Sequence, residues 1–592
     1  MSPRIPSQHS RRRASTLCAG ALLLGLPGCG GERPAPATNV LLVTFDTTRV
    51  DAVGCYGGPG GVSPTIDAFA AEGVRFTQAY TTAPLTLPAH ASLLTGLAPD
   101  HHGVRANETY VLPAVELTLA EILAEEGWET AAFVASFVLD ARYGLAQGFE
   151  TYDDEIDVEG ADVTRVAERP ADAVTDRALA WLDARDTTRP FFLWLHYYDP
   201  HYPHELRPGQ AARFESIYHD EVAFADAQLM RVRARLGELG LLDDTLTVIT
   251  ADHGEGQGEH GEDTHGYFLY QGTQHVPLIL AHGHLAQRAV DARPASLVDV
   301  VPTVLNFLLL DVPPGDGLDL LAPLDVGRAP LYMEAELGRI DFGLTPLRGA
   351  LQGSLKWLDT PTPELFDVVA DPGETENLTG SRPEPAARLE AWLDARPVRE
   401  RGDAVLDSDA EAGARLRALG YTGGAPNAEG TRDDWTPEQL ARWSRTLTTG
   451  LRHYQLDELP RAIEILQPLV AECPGAFGAR RFLGMALVRT GKVPAGLEQL
   501  EAAAALQPDA SADLWWNVAA GRAVSGRPKG AREALERTLQ LDPEHVRALQ
   551  KLAELELNAR EPEAARAHLE ALLRCAPKSP EGRWARGVLQ KL

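Results

Sequence analysis

Residues 39–46 read NVLLVTFD, an apolar and β-branched run of strand length that ends in an aspartate. Similar runs recur at 130–137, 190–197, 245–250 and 276–281, with helical patterns such as 171–184 and 221–239 between them. Strands without a polar face that alternate with helices predict an α/β domain with a largely parallel sheet flanked by helices. Ligands bind at the carboxyl ends of such strands. Asp46 and Asp252, which follow two of these runs, are therefore expected at one catalytic edge.

A second domain is predicted after residue 435. Periodicity is lost between about 395 and 435, and Pro474, Pro508, Pro543 and Pro577 then follow at intervals of 34, 35 and 34 residues, each after a helical pattern. This period resembles tetratricopeptide repeats, about four units and a closing helix. The predicted domains are 39–395, catalytic; 396–435, a linker; and 436–592, an all-α tetratricopeptide solenoid, whose concave surface suits protein partners.

The first residues are typical of an export signal. Arg11, Arg12 and Arg13 precede the apolar run 17–26, which is too short to span a membrane. The following LPGC, ending in Cys29, resembles the lipobox of bacterial lipoproteins, so residues 1–28 are predicted to be a signal peptide. The formal charge of -29 argues against nucleic acid and anionic lipid as partners. We expect an exported protein that contacts the cell envelope membrane only through a lipid anchor.

The candidate nucleophile lies in residues 81–96, which read TTAPLTLPAHASLLTG. Pro88 can occupy the first turn of a helix that Gly96 ends, which places Thr86 at or just before the helix N-terminus. Backbone N–H groups there favour an anionic group beside the hydroxyl. An isolated threonine at this place is more often a simple cap, so the interpretation depends on its surroundings.

Several ordered motifs resemble the sulfatase family of the alkaline phosphatase superfamily. The segment 86–96 is similar to the signature Cys/Ser-x-Pro-x-Arg followed by ASLLTG, with Thr86 at the nucleophile position and His90 at the arginine position. Residues 46–57, 196–201, 252–255 and 364–378 resemble further family motifs. Threonine cannot become the formylglycine of sulfatases. It does occupy this position in related phosphodiesterases and phosphoethanolamine transferases, where its alkoxide attacks phosphorus.

The resemblance implies a divalent metal held by Asp46, Thr86, Asp252 and His253. Sulfatases usually have two aspartates in the first segment, where this chain has Asp46-Thr47, and Asp with Asn in the second, where it has Asp252-His253. Fewer carboxylates plus an imidazole favour Zn²⁺ or Mn²⁺ over Ca²⁺. By analogy with two-metal enzymes, Asp199, His201 and His265, with His204 as a further candidate, are a possible second site.

Other roles remain open for the same residues. His90, His201 and His265 are candidate catalytic groups that donate hydrogen bonds or protons. Arg49, His102 and Arg105 are candidate substrate-binding residues, although each arginine could equally form a surface ion pair.

The predicted function is metal-dependent hydrolysis of sulfate or phosphate esters, with phosphate esters favoured by the threonine nucleophile. Two alternatives are a phosphotransferase of the phosphoethanolamine-transferase type and an inactive sulfatase-like scaffold whose repeats bind proteins.

Overall fold

The strand quoted first lies inside the main sheet of the protein. The computed structural model describes residues 39–107, 109–156, 168–206, 211–323, 327–396 and 433–592. The strands of this sheet are β1 (Asn39–Phe45), β2 (Gly73–Tyr80), β3 (Glu129–Phe133), β4 (Thr151–Asp153), β5 (Phe191–Tyr197), β6 (Thr245–Thr250), β7 (His275–Ala281) and β8 (Ala289–Ser296).

The strand order is β4-β3-β5-β1-β6-β7-β2-β8. All neighbouring pairs are parallel except β6 with β7 and β7 with β2, so β7 alone of these strands runs the other way. This confirms the predicted α/β class with a largely parallel sheet.

Helices cover both faces of the sheet. They are α1 (Pro64–Glu72), α2 (Thr86–Thr95), α3 (Pro99–His102), α4 (Leu119–Glu125), α5 (Ala171–Ala184), α6 (Ile217–Glu238), α7 (Gln271–Gln274) and α8 (Val300–Phe307). Val40 and Leu42 of β1 pack in one core cluster, while Leu41, Val43 and Phe45 pack in another. Successive side chains of a strand point to opposite faces, so an apolar strand such as β1 needs cover on both.

A smaller antiparallel sheet follows the main one. It consists of β9 (Leu331–Ala335), β10 (Leu347–Gln352), β11 (Leu355–Leu358) and β12 (Glu364–Asp367), in the order β12-β11-β10-β9. Helix α9 (Leu337–Phe342) follows β9, and α10 (Pro383–Asp394) packs against β10 and β11.

The helices after residue 436 come in antiparallel pairs, which confirms the tetratricopeptide solenoid. The pairs are α11 (Pro437–Gln455) with α12 (Leu459–Glu472), α13 (Phe477–Arg489) with α14 (Val493–Leu506), α15 (Ala512–Val524) with α16 (Pro528–Leu541), and α17 (Val546–Ala559) with α18 (Pro562–Cys575); α19 (Pro580–Leu589) closes the array. The described residues belong to one compact unit.

Some of the predicted segments lie outside the part of the chain that the structure describes. The signal peptide and Cys29 lie outside the described residues, as does nearly all of the predicted linker 396–435. None of the helices in the described part of the chain combines the length and the apolar character that a membrane span needs.

Candidate active site

Asp46 and Asp252 meet at the carboxyl edge of the main sheet. Strands β1 and β6 are parallel neighbours in a register that pairs Thr44 with Thr250, so the two aspartates follow their strands at the same level. The backbone N–H groups of Thr47 and His253 donate to Asp252 Oδ1 over 3.2 and 2.8 Å. Because these donors occupy Oδ1, the other oxygen of Asp252 is left to face the site.

Asp46, Asp252 and His253 form a buried cluster that fits a metal ion. One ligand atom from each lies within 4.8 Å of the other two. Asp46 Oδ1 and Asp252 Oδ2 are buried, and no donor in the described part of the chain hydrogen bonds to either. His253 Nδ1 lies 2.9 Å from the carbonyl of Gly254 and must donate to it, so its Nε2 lone pair faces Asp252 Oδ2 over 3.4 Å. Three electron-pair donors thus converge where a cation is needed.

The electrostatics of this cluster lead to the same conclusion. Burial raises the pKa of Asp46 well above its usual range. Burial, followed by the charge of Asp46, raises the pKa of Asp252 to about 7. Burial lowers the pKa of His253 to about 4, which keeps its imidazole neutral. Two buried carboxylates and a neutral imidazole are costly without a counter-charge, and a divalent cation supplies it.

Thr86 is the first residue of α2, and its side chain points into this cluster. Thr86 Oγ1 lies 3.4 Å from Asp46 Oδ2 and 3.4 Å from His253 Nε2. The side chain of Asn107 accepts a hydrogen bond from the backbone N–H of Leu87 over 2.8 Å and so caps this end of the helix. The structure therefore brings together all four residues of the predicted metal set.

His196 and Glu255 are residues whose roles the sequence did not reveal. The N–H of Ala135 donates to His196 Nδ1, so His196 Nε2 carries the proton that it donates to Asp46 Oδ2 over 3.0 Å. His196 thereby orients Asp46. Glu255 is fully buried, and its Oε1 has no hydrogen-bond donor among the described residues. Both residues stand in the quoted family motifs, and His196 is also the last but one residue of β5; this was the signal available in the sequence.

His90 lies one helical turn after Thr86 in α2, and both of its ring nitrogens have hydrogen-bond partners. Its Nδ1 donates to the backbone carbonyl of Thr86 over 2.8 Å, and its Nε2 accepts from Thr44 Oγ1 over 3.0 Å. Burial lowers the pKa of His90 to about 3. In this geometry the ring holds the first turn of α2 against β1. Its predicted catalytic role stays a prediction.

His201 and His265 form a second imidazole pair, with their Nε2 atoms 3.0 Å apart. Each Nδ1 faces a backbone carbonyl, of Tyr202 over 2.6 Å and of Pro84 over 3.0 Å, so each Nδ1 carries the proton. Burial lowers the pKa of both rings well below the usual value, which disfavours an additional proton. Two Nε2 lone pairs therefore face each other and need a hydrogen-bond donor or a cation between them.

The two remaining candidates for a second metal site, Asp199 and His204, have hydrogen-bond partners away from the pair of His201 and His265. Asp199 Oδ2 accepts from the N–H of Ala171 at the start of α5, over 2.9 Å. His204 Nδ1 lies 2.8 Å from Glu221 Oε2. The predicted second metal site therefore depends on the facing pair of His201 and His265.

The candidate substrate-binding residues already have protein partners. Arg105 binds both oxygens of Glu334, over 2.8 and 2.6 Å, and also contacts Glu336. His102 Nε2 lies 3.0 Å from Ser92 Oγ on α2.

Arg49 donates to Asp51, to Glu259 and to the carbonyl of Glu255. The structure thus pairs His102 with the nucleophile helix, Arg49 with the loop after β6, and Arg105 with the end of β9. Their contact with substrate stays a prediction.

The fold and this site together are those of the alkaline phosphatase-like class of α/β domains. Residues 38–308 match the sulfatase family model, and residues 447–511 and 525–587 match tetratricopeptide repeat models. An ulvan-active sulfatase of Formosa agariphila is 27% identical over 428 residues, which span 63% of this chain and 83% of the relative. Arylsulfatase A of Bos taurus is 27% identical over 469 residues, which span 65% and 92%.

A solved structure shares the same fold. The phosphonate monoester hydrolase of Agrobacterium radiobacter superposes with a TM-score of 0.50 at 22% identity, covering 60% of this chain and 94% of that one. The chain therefore combines a domain that matches the sulfatase family model with a C-terminal array of tetratricopeptide repeats.

Proposed function

We propose that this hydrolase domain cleaves a phosphate ester with Thr86 as the nucleophile and a divalent metal held by Asp46, Asp252 and His253. The observation that carries the proposal is the position of Thr86 Oγ1, 3.4 Å from both Asp46 Oδ2 and His253 Nε2. A hydroxyl needs activation to attack at neutral pH. When bound, the cation supplies Lewis-acid polarisation and lowers the pKa of nearby hydroxyl groups.

The reaction would proceed in two displacements. Thr86 Oγ1 forms a bond to phosphorus while the bond to the leaving oxygen breaks, and that oxygen takes the electron pair. The hydroxyl proton of Thr86 passes to Asp46 Oδ2, the acceptor of its present hydrogen bond. Water then attacks phosphorus while the bond to Thr86 Oγ1 breaks, and Asp46 returns its proton to Oγ1. The proton that the water loses matches the one that the leaving oxygen takes up. His196 keeps Asp46 oriented throughout by donating to the same carboxylate oxygen.

Threonine at the nucleophile position favours phosphate over sulfate. A secondary alcohol cannot be converted to the formylglycine that the resemblance to sulfatases implies for the cysteine or serine at this position. The donor set of two carboxylates, one imidazole and one hydroxyl supports Zn²⁺ or Mn²⁺ over Ca²⁺, which prefers six to eight oxygen ligands.

Turnover of matched esters tests the proposal. Metal-free protein should gain p-nitrophenyl phosphatase activity on addition of Zn²⁺ or Mn²⁺, and this activity should exceed that on p-nitrophenyl sulfate. Thr86→Ala should abolish it, and Thr86→Ser should retain part of it because a hydroxyl remains. Activity unchanged by Thr86→Ala would rule out the nucleophile, and a higher rate with the sulfate ester would rule out the phosphate preference.

A transferase outcome follows if an acceptor alcohol, rather than water, completes the second displacement. Product analysis with added alcohols separates the two results, because a transferase yields the new ester. An inactive scaffold predicts neither metal binding nor turnover. Orphaned ligand oxygens on Asp46 and Asp252 favour the active enzyme over the scaffold.

Export and partner binding complete the proposal. Cleavage before Cys29 and lipidation of that cysteine would tether the enzyme to the bacterial envelope, and the repeats would bind a protein partner there. Metabolic labelling with a lipid precursor tests the anchor, since Cys29→Ser should lose the label.

A further inference from the structure

We infer that α11, the first helix of the repeat domain, is part of the ester site, where Arg445 and Arg452 are positioning residues for His265 and His201. The inference rests on the proposed function, since it concerns the same site. It gives the repeat domain a role in catalysis in addition to any partner that it binds.

The two histidines come from separate loops that must be held in register. His201 follows β5, whereas His265 lies in the long connection between β6 and α7. Their Nε2 atoms are nevertheless 3.0 Å apart. Loops are the more mobile parts of a fold, so a contact of this kind requires a rigid element that holds both segments.

Helix α11 contacts both loops through one of its faces. Arg445 binds both oxygens of Asp263, over 2.6 and 2.9 Å, two residues before His265. Arg452 donates to the hydroxyl of Tyr202 over 2.9 Å, and the backbone carbonyl of the same tyrosine accepts a hydrogen bond from His201 Nδ1. The arginines are seven residues apart, which is two helical turns on one face and a rise of about 10 Å.

Close packing fixes the position of the helix independently of these charges. A Cβ on Gly261 would lie 2.7 Å from the Cβ of Ala441, so glycine is required where α11 crosses the loop. The ring of Phe342 lies 5.9 Å from that of Trp443 and 6.0 Å from that of Tyr267. Tyr267 is two residues beyond His265, so a chain of ring contacts also connects the helix with this loop.

Exposed ion pairs contribute little to folding stability. Arg445 is half exposed, with 51% of its side chain accessible. Loss of its charge should therefore change the site more than it changes the stability of the chain. This separates a positioning role from a purely structural one.

The test compares the double variant Arg445→Ala/Arg452→Ala with Arg442→Ala in the full-length protein. Arg442 is the matched control, because it lies on the same helix at 54% exposure and pairs with Glu472 inside the repeat domain. In the double variant we expect faster deuterium exchange in peptides 198–206 and 255–266. We also expect kcat to fall about tenfold or more with KM little changed, because His265 lies against the ring of His253 and small displacements next to the reacting groups carry losses of up to about a hundredfold.

A charge exchange provides the rescue experiment. Asp263→Arg combined with Arg445→Asp restores the pair in reverse and should recover kcat lost in either single variant. The inference is overturned if the double variant matches Arg442→Ala in loop exchange or in kcat per folded molecule. If the wild-type protein turns over no ester, the proposed function fails. Deuterium exchange tests the role of α11 separately: exchange of the two loops that stays unchanged in the double variant would overturn that role.

Discussion

At the scale of single residues, the positions of protons decide what the site can bind. His196, His201, His253 and His265 each have one ring nitrogen next to a backbone group of fixed polarity. A carbonyl can only accept, so three of these rings carry the proton on Nδ1 and offer an Nε2 lone pair. His196 is the exception, since a backbone N–H occupies its Nδ1. It therefore donates to Asp46 and does not compete as a ligand.

His196→Ala should weaken metal binding about 10- to 100-fold, because an unsupported carboxylate ligand loses its orientation. Calorimetric titration of the metal-free protein with Zn²⁺ measures this. His282→Ala is a suitable control: it is also a buried histidine, but it follows β7, whose antiparallel course puts it at the opposite edge of the sheet. Equal Zn²⁺ affinity in the two variants would contradict the orienting role.

The contact between His101 and Asp316 makes stability depend on pH. Their atoms Nδ1 and Oδ2 are 2.7 Å apart. The hydrogen bond that His101 donates to Asp316 raises the pKa of His101. Burial by itself would raise the pKa of Asp316, but hydrogen bonds from His101 and the Ala98 N–H outweigh it, so the pKa is lowered. The stabilisation is lost as pH rises through the folded pKa of His101, and as pH falls through that of Asp316.

We therefore expect His101→Ala to destabilise the protein near pH 5.5 and much less near pH 8.5, since the pair is fully charged between about pH 4 and 6.5. The loss should stay below about 1 kcal/mol, because the histidine is partly exposed. Urea unfolding at both values of pH measures it. In an Asp316→Asn background, the loss of stability caused by His101→Ala should no longer depend on pH. A pH dependence that persists there would have to come from another titratable group.

The sequence revealed the ligands of the site more readily than their supports. Asp46, Asp252 and His253 follow strand-like runs directly, so their convergence follows from the rule on strand ends. The role of His196 depends on β5 being the neighbour of β1, which pairs it with Thr44. Strand order arises from packing between distant segments, and the local pattern did not contain it. The ion pairs of Arg105 with Glu334 and Glu336 were hidden for the same reason.

At the scale of elements, helix α2 depends on a cap from outside itself. Its N-cap residue, Leu85, has no side-chain acceptor, and Asn107 supplies one to the N–H of Leu87. At the other end Gly96 adopts a φ of 71°, where a Cβ would lie 3.2 Å from Val301. The helix that presents Thr86 is therefore held at both ends.

Asn107→Ala should lower the free energy of unfolding by about 1–2 kcal/mol, because it leaves a buried N–H without an acceptor at the helix start. It should also lower kcat, since Thr86 is adjacent to that N–H. Thermal and urea unfolding measure the first effect, and turnover the second. Asn107→Asp retains the acceptor and is the control for loss of the cap alone. Wild-type stability in Asn107→Ala would contradict the capping role.

Elements with strong periodicity were predicted closely, and their ends less so. Helix α5 has the predicted bounds, whereas α6 begins at Ile217 rather than 221. The strand expected at 130–137 ends at Phe133, where its partner β4 also ends after three residues. The apolar residues that follow continue as a buried 3₁₀ turn, Phe137–Leu139. Apolar character alone does not separate these two conformations.

At the scale of the whole molecule, the two domains share one apolar cluster. It contains Phe268, Leu269 and Phe342 from the hydrolase domain and Trp443 and Leu447 from α11, together with further residues of both. The side chain of Gln507, at the end of α14, also donates to the carbonyl of Ile340 over 2.6 Å. The sequence suggested two separate domains. They follow one another along the chain, but their hydrophobic cores are continuous.

This continuity predicts cooperative unfolding of the hydrolase domain with the first repeats. Trp443 is 2% exposed, and Trp443→Ala should lower stability by about 3–5 kcal/mol by leaving a cavity in the shared cluster. Calorimetry should show the hydrolase transition moving to a lower temperature. Leu572→Ala, in a separate cluster of the last repeats, should affect only the distal helices, because repeats interact with their nearest neighbours. A hydrolase transition that Trp443→Ala leaves in place would show that the two domains unfold independently.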